Sequence, residues 1–143
     1  MKVTISLSLS RLVEILLAHS AASCMMTGDD KPLLTKDNET MLRIFVDAEI
    51  DRISLELGGI VEGVEQDENG DLRLLSCELD AGVCARVWRR NLETAICAGV
   101  MAKASNDLPE RSKIYADDCR GIIESIRTEA LRYYLPSRIS RGA

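Results

Sequence analysis

Aromatic side chains are scarce in this 143-residue chain, which has one Trp, one Phe and three Tyr. Packing therefore falls to Leu, Ile, Val and Ala, a composition that leans toward helix. Histidine occurs once, at His19, so a metal centre built on several imidazoles is excluded. The five cysteines, Cys24, Cys77, Cys84, Cys97 and Cys119, include no C-x-x-C pair, the spacing of many zinc and redox sites. Odd in number and mostly at apolar positions, they read as reduced, buried thiols. Glycine-rich phosphate loops, Walker motifs and nucleophile elbows are missing, so no cofactor is expected. Positive charge is in deficit too: a net charge of −5 argues against a general nucleic-acid binder.

What is there fits one soluble domain: 46% hydrophobic and 29% charged residues, with enough length to bury a core without disulfides. The first 24 residues, "MKVTISLSLSRLVEILLAHSAASC", look superficially like a lipoprotein signal. Arg11 and Glu14 interrupt the apolar run, however, and Ala21 stands where a larger aliphatic residue is expected. Val3, Ile5, Leu7 and Leu9 alternate with polar residues, which is the period of a strand. No later run approaches a membrane span, and no membrane partner is expected.

Residues 2–9 thus predict a short strand, followed by a helix from a Ser10 cap to about Ala22 with Leu12, Ile15 and Leu16 inward. A second helix opens at Asp37 or Asn38. It buries Leu42, Val46, Ile50, Ile53 and Leu57, a stripe widened by Met41, Phe45 and Ala48, and stops at Gly58-Gly59. Arg43, Asp47 and Asp51 occupy its other face. A long helix is expected from about Asp80 to Ser105, with Val83, Cys84, Val87, Trp88, Ala95, Ile96, Val100 and Met101 at helical spacing. A last helix opens with Pro109 in its first turn and carries the stripe Tyr115, Cys119, Ile122, Ile126, Ala130 and Tyr133. The fold class is mainly α: about four helices in a small bundle, a β-hairpin at about 60–78 and a short N-terminal strand. Residues 1–136 read as a single domain and 137–143 as a flexible basic tail.

The stretch between the second and third helices holds the sharpest motif. In "VEQDENGDLRLL", Glu65, Asp67, Asn69 and Asp71 fall at positions one, three, five and seven of a calcium loop, with Gly70 at position six. The bidentate Glu required at the end of that loop is Ser76 here, and Arg73 brings positive charge to position nine. A hairpin accounts for the stretch better: Glu68-Asn69-Gly70 as the loop, Asp67 facing Asp71, Val64 opposite Leu74 and Glu65 opposite Arg73. Asp67, Glu68, Asn69, Gly70 and Asp71 then form an exposed tip available to a partner. "RVWRRNLE" places Arg86, Arg89 and Arg90 with Glu93 on a polar helix face, solvated or turned toward a subunit, while Trp88 belongs to the apolar one. Asp47 and Asp51 share a face at i,i+4, a spacing found in some metal sites, but no helical His accompanies them and a solvated face is the simpler reading.

An acidic helix, a glycine stop, a hairpin and two further helices leading to a polar tail form an order that resembles the head–tail connector (adaptor) proteins of tailed bacteriophages. The likeness is carried by "LTKDNETMLRIFVDAEIDRISLELGG" and "LDAGVCARVWRRNLETAICAGVMAKASND", and covers roughly Leu34 to Tyr134. It implies a non-enzymatic virion protein, made in the host cytoplasm and placed at the head–tail junction as a homo-oligomeric ring, usually twelve-fold. Its partners would be the portal protein on one side and tail components on the other. The resemblance nominates the hairpin tip and the C-terminal tail as contact surfaces, the tail through Arg138 and Arg141. Two other readings stay open: a small helical bacterial adaptor or regulatory module that binds a partner through Arg86–Arg90, and an enzyme with a site around His19 and Asp47 or Asp51.

Overall fold

The computed structural model describes residues 1–28 and 31–131. Four helices dominate, as expected: α1 Leu9–Thr27, α2 Glu39–Glu56, α3 Ala85–Ala104 and α4 Pro109–Leu131. Three strands, β1 Lys2–Ser8, β2 Val61–Gln66 and β3 Leu72–Glu78, form one antiparallel sheet in the order β1-β3-β2. The N-terminal strand therefore pairs within the chain, along the whole of β3 from Lys2↔Glu78 to Ser8↔Leu72. Its end is anchored too, because the Met1 ammonium donates to Glu78 Oε1 and to the Leu79 carbonyl, both at 2.8 Å.

One core joins sheet and helices. Ile5 and Leu7 of β1 and Leu75 and Cys77 of β3 meet the inner stripes Leu12, Val13 and Leu16 of α1 and Leu42, Val46, Ile50 and Ile53 of α2. Each fully buried Leu or Ile contributes about 1.5–3 kcal/mol, so the sparse aromatics are no handicap. Trp88 is the exception in size. It is wholly buried, and its indole N–H donates to the Ile126 carbonyl at 2.9 Å, tying α3 to α4.

Several expected boundaries move, each for a local reason. Ser8, not Ser10, caps α1: its hydroxyl accepts from the Arg11 N–H at 3.2 Å. The helix runs past Ala22 to Thr27 and ends on Gly28 at φ 75°, a left-handed geometry suited to glycine. α3 begins at Ala85 rather than Asp80, because the Asp80 carboxylate accepts from the Gly82 N–H at 2.9 Å and holds a turn instead. Val83 and Cys84 consequently precede the helix. Met41 and Ala48, expected to widen the inner stripe of α2, face outward.

The hairpin is real, but its register differs from the expected one by a residue. Val64 pairs with Leu75, Glu65 with Leu74 and Gln66 with Arg73. The loop closes across Asp67 and Leu72, with the Asp67 N–H donating to the Leu72 carbonyl and the Leu72 N–H donating to Asp67 Oδ1. Gly70 does adopt positive φ, at 76°. A one-residue change sends each side chain to a new neighbour. Arg73, expected across from Glu65, is buried instead and its Nε donates to Asp47 Oδ1 on α2 at 2.7 Å.

Candidate functional site

Among the described residues, those nominated from the sequence differ in exposure and partners. Within the hairpin loop only Glu68 and Asn69 are freely exposed. Asp71 turns inward, where its carboxylate accepts from Ser8 Oγ at 2.8 Å, from Ser10 Oγ at 2.6 Å and from the Ser10 N–H at 3.1 Å. Arg43 of α2 adds an ion pair at 3.2 Å. Hydrogen bonds from Ser10 and Ser8, reinforced by Arg43, outweigh partial burial and hold the Asp71 carboxyl at about 2. This acid is therefore a structural knot between the hairpin, the start of α1 and α2, and the expectation of a free acidic tip is corrected.

The arginine cluster is also divided. Arg86 is exposed, Arg89 is half-buried with Nε lacking a hydrogen-bond partner among the described residues, and Arg90 stands at the wall of a groove. Arg138 and Arg141 lie outside the described residues. His19 meets the Tyr115 hydroxyl at 3.0 Å inside the same groove, whereas Asp47 is committed to Arg73, so the structure does not unite His19 with the α2 carboxylates.

That groove is an open trough of about 1140 Å³ bounded by α1, α3 and α4. It exists because the facing positions are small: Thr94 and Ala98 on α3, Gly121 and Ser125 on α4. Leu16, Met101 and Ile126 form an apolar floor, and Ile15, expected in the core, is 37% exposed along its side. Val87 is likewise turned out into the trough and is 47% exposed. The charges along the edges are unlike. Arg11 and Arg90 stand on the α1 and α3 walls, Asp117 and Asp118 on the α4 wall. Glu93, expected on a polar face of α3 that is solvated or turned toward a subunit, is nearly buried within the chain and meets Arg11 at 3.5 Å.

On the other side of the α3–α4 contact a carboxylate enters the space beside Gly99. Glu49 of α2 is 1% exposed and takes a two-pronged contact from Arg52, at 2.8 Å to Nη2, and a second ion pair from Lys103 at 3.0 Å. Burial alone would push the Glu49 carboxyl up, but the hydrogen bonds and charges of Arg52 and Lys103 prevail and leave it below its ordinary value. Arg52 Nη2 also lies 3.4 Å from Cys119 Sγ, and Gly99 leaves the room that this carboxylate occupies. The neighbouring hollow, about 310 Å³, is lined by these same residues.

A second apolar surface lies on the outer face of α2. Met41, Ile44, Ala48 and Leu55 recur at helical spacing opposite the buried stripe, with Ile44 63% and Leu55 83% exposed. Sequence reading overlooked this face although its spacing was visible, because the inner stripe accounted for the helix. Comparison with known proteins finds no matching family model, no similar curated protein and no similar solved structure.

Proposed function

We propose that the protein is a non-catalytic assembly component that works by chain-on-chain docking, and that its specific form is the connector ring between portal and tail of a tailed phage. The observation that supports this reading is α2, which carries apolar stripes on two opposite faces although only one faces the core of the chain. A helix apolar on both sides is the signature of one buried on both sides. The groove between α1, α3 and α4 supplies a second, unlike apolar surface. A subunit with two unlike docking surfaces associates head to tail, and such contacts close into rings when the rotation permits.

Negative-stain imaging and native mass spectrometry of the purified chain test this. A closed ring that joins a portal assembly is expected. A protein monomeric across the accessible concentrations that also fails to join portal rings contradicts it. The position of Arg90 on the groove wall favours one other reading, a regulatory module that takes a single partner helix there. A one-to-one complex without self-association would select that reading.

A further inference from the structure

One edge of each open apolar surface bears charge opposite to one edge of the other. On α2 the outward stripe is flanked by Asp47 and Asp51 along one edge and by the Arg52–Glu56 ion pair along the other, as the helical spacing requires. In the groove, the α1 and α3 walls bring Arg11 and Arg90, with Glu93 beside Arg11, while the α4 wall brings Asp117, Asp118 and Glu129. Small residues stand at both centres, Ala48 in the stripe and Gly121 in the trough, and both are exposed. A Cβ built on Gly121 would meet nothing within 4 Å, so the trough there is open.

We propose that the outer face of α2 from one copy seats in the groove of the next, its acidic Asp47–Asp51 edge against Arg11 and Arg90. This rests on the assembly reading above and names the surfaces that carry it. The occupant has the properties that the trough selects: Met41, Ile44 and Leu55 for the apolar floor, and an acidic edge for Arg11 and Arg90. Internal pairs already orient several of the charges. Asp47 is held by Arg73 and Arg11 by Glu93, so their heads are positioned before a partner arrives, while Arg52 is taken up by Glu49 and Glu56. The contact is heterologous, since each copy offers one stripe and one groove.

Two exposed-site variants test the proposal. Leu55→Asp spoils the stripe and leaves the groove intact; Gly121→Arg fills the groove and leaves the stripe intact. Circular dichroism and thermal melts establish that both fold. In sedimentation velocity, at concentrations where the native chain is oligomeric, each variant alone is expected to run as a monomer, with association weakened about tenfold or more. Their equimolar mixture is expected to yield a dimer and nothing larger, because one good stripe meets one good groove and the next contact is blocked. Native-like oligomers in either variant overturn the proposed contact while leaving the assembly reading intact. A mixture that stays monomeric also overturns it, showing that the two faces are not partners of each other. A native chain that is monomeric throughout overturns contact and assembly together, whereas dimers in the mixture with no portal binding by the native ring would overturn only the connector form.

Discussion

Gly99 and Gly121 sit on opposite sides of the same α3–α4 contact and have opposite meanings. A side chain at Gly99 would run into the Glu49 carboxylate and approach Cys119 Sγ at 3.4 Å, whereas one at Gly121 would meet open space. The first glycine is required because α2 presses a charged group into the space it leaves. The second helps to leave a trough into which nothing from the described chain is packed. One side of the contact thus receives a carboxylate from α2 beside a small hollow, and the other opens on a trough that no described residue fills, the surface that the proposed docking uses.

Identical substitutions at the two positions should separate the sides most sharply. Gly99→Ala is expected to cost about 3 kcal/mol, from overpacking and from displacing a buried, doubly paired carboxylate, as read by urea denaturation. Asp71→Ala should cost about 2 kcal/mol in the same assay, since the Ser8 and Ser10 donors and Arg43 lose a common acceptor. The carboxyl of Asp71 is held below its unfolded value, so its stabilising contribution is complete above about pH 4 and disappears as pH falls toward about 2. Asp71→Asn should flatten that part of the stability profile. Gly121→Ala, at an exposed helical position, should stabilise by about 0.5–1 kcal/mol, the sign opposite to that at Gly99. Leu55→Asp should cost the monomer no more than about 1 kcal/mol while removing self-association, because Leu55 is 83% exposed and the loss comes only from an acid placed in the last turn of α2 one turn after Asp51.

Much of the fold was legible because it rests on period. The alternation of Val3, Ile5, Leu7 and Leu9 and the stripe Leu42, Val46, Ile50 and Ile53 identify a strand and a helix without help from tertiary contacts. Errors arose where polar side chains chose between local and distant partners. Asp71 read as a solvated tip because its acceptors' donors, Ser8 and Ser10, are more than sixty residues away. Arg73 read as a cross-strand partner of Glu65, yet the loop closure at Asp67 and Leu72 moved the register and Asp47 became its partner. The groove was less visible still. It is made by the absence of bulk on two helices at once, at Ala98 and Gly121 among others, and sequence spacing does not reveal which small residues face one another. The outer stripe of α2 was readable in principle; Met41 and Ala48 were assigned inward because an apolar residue beside a core stripe is ordinarily part of it.

The docking of α2 into the groove is tested most directly by a cross-link between the two centres, using the chain with Ala48→Cys and Gly121→Cys together. After mild oxidation of the assembled protein, peptide mapping should find residue 48 of one copy joined to residue 121 of another, and the linkage should vanish when Leu55→Asp is added. Assembled protein that forms other intermolecular linkages but none between 48 and 121 would contradict the account.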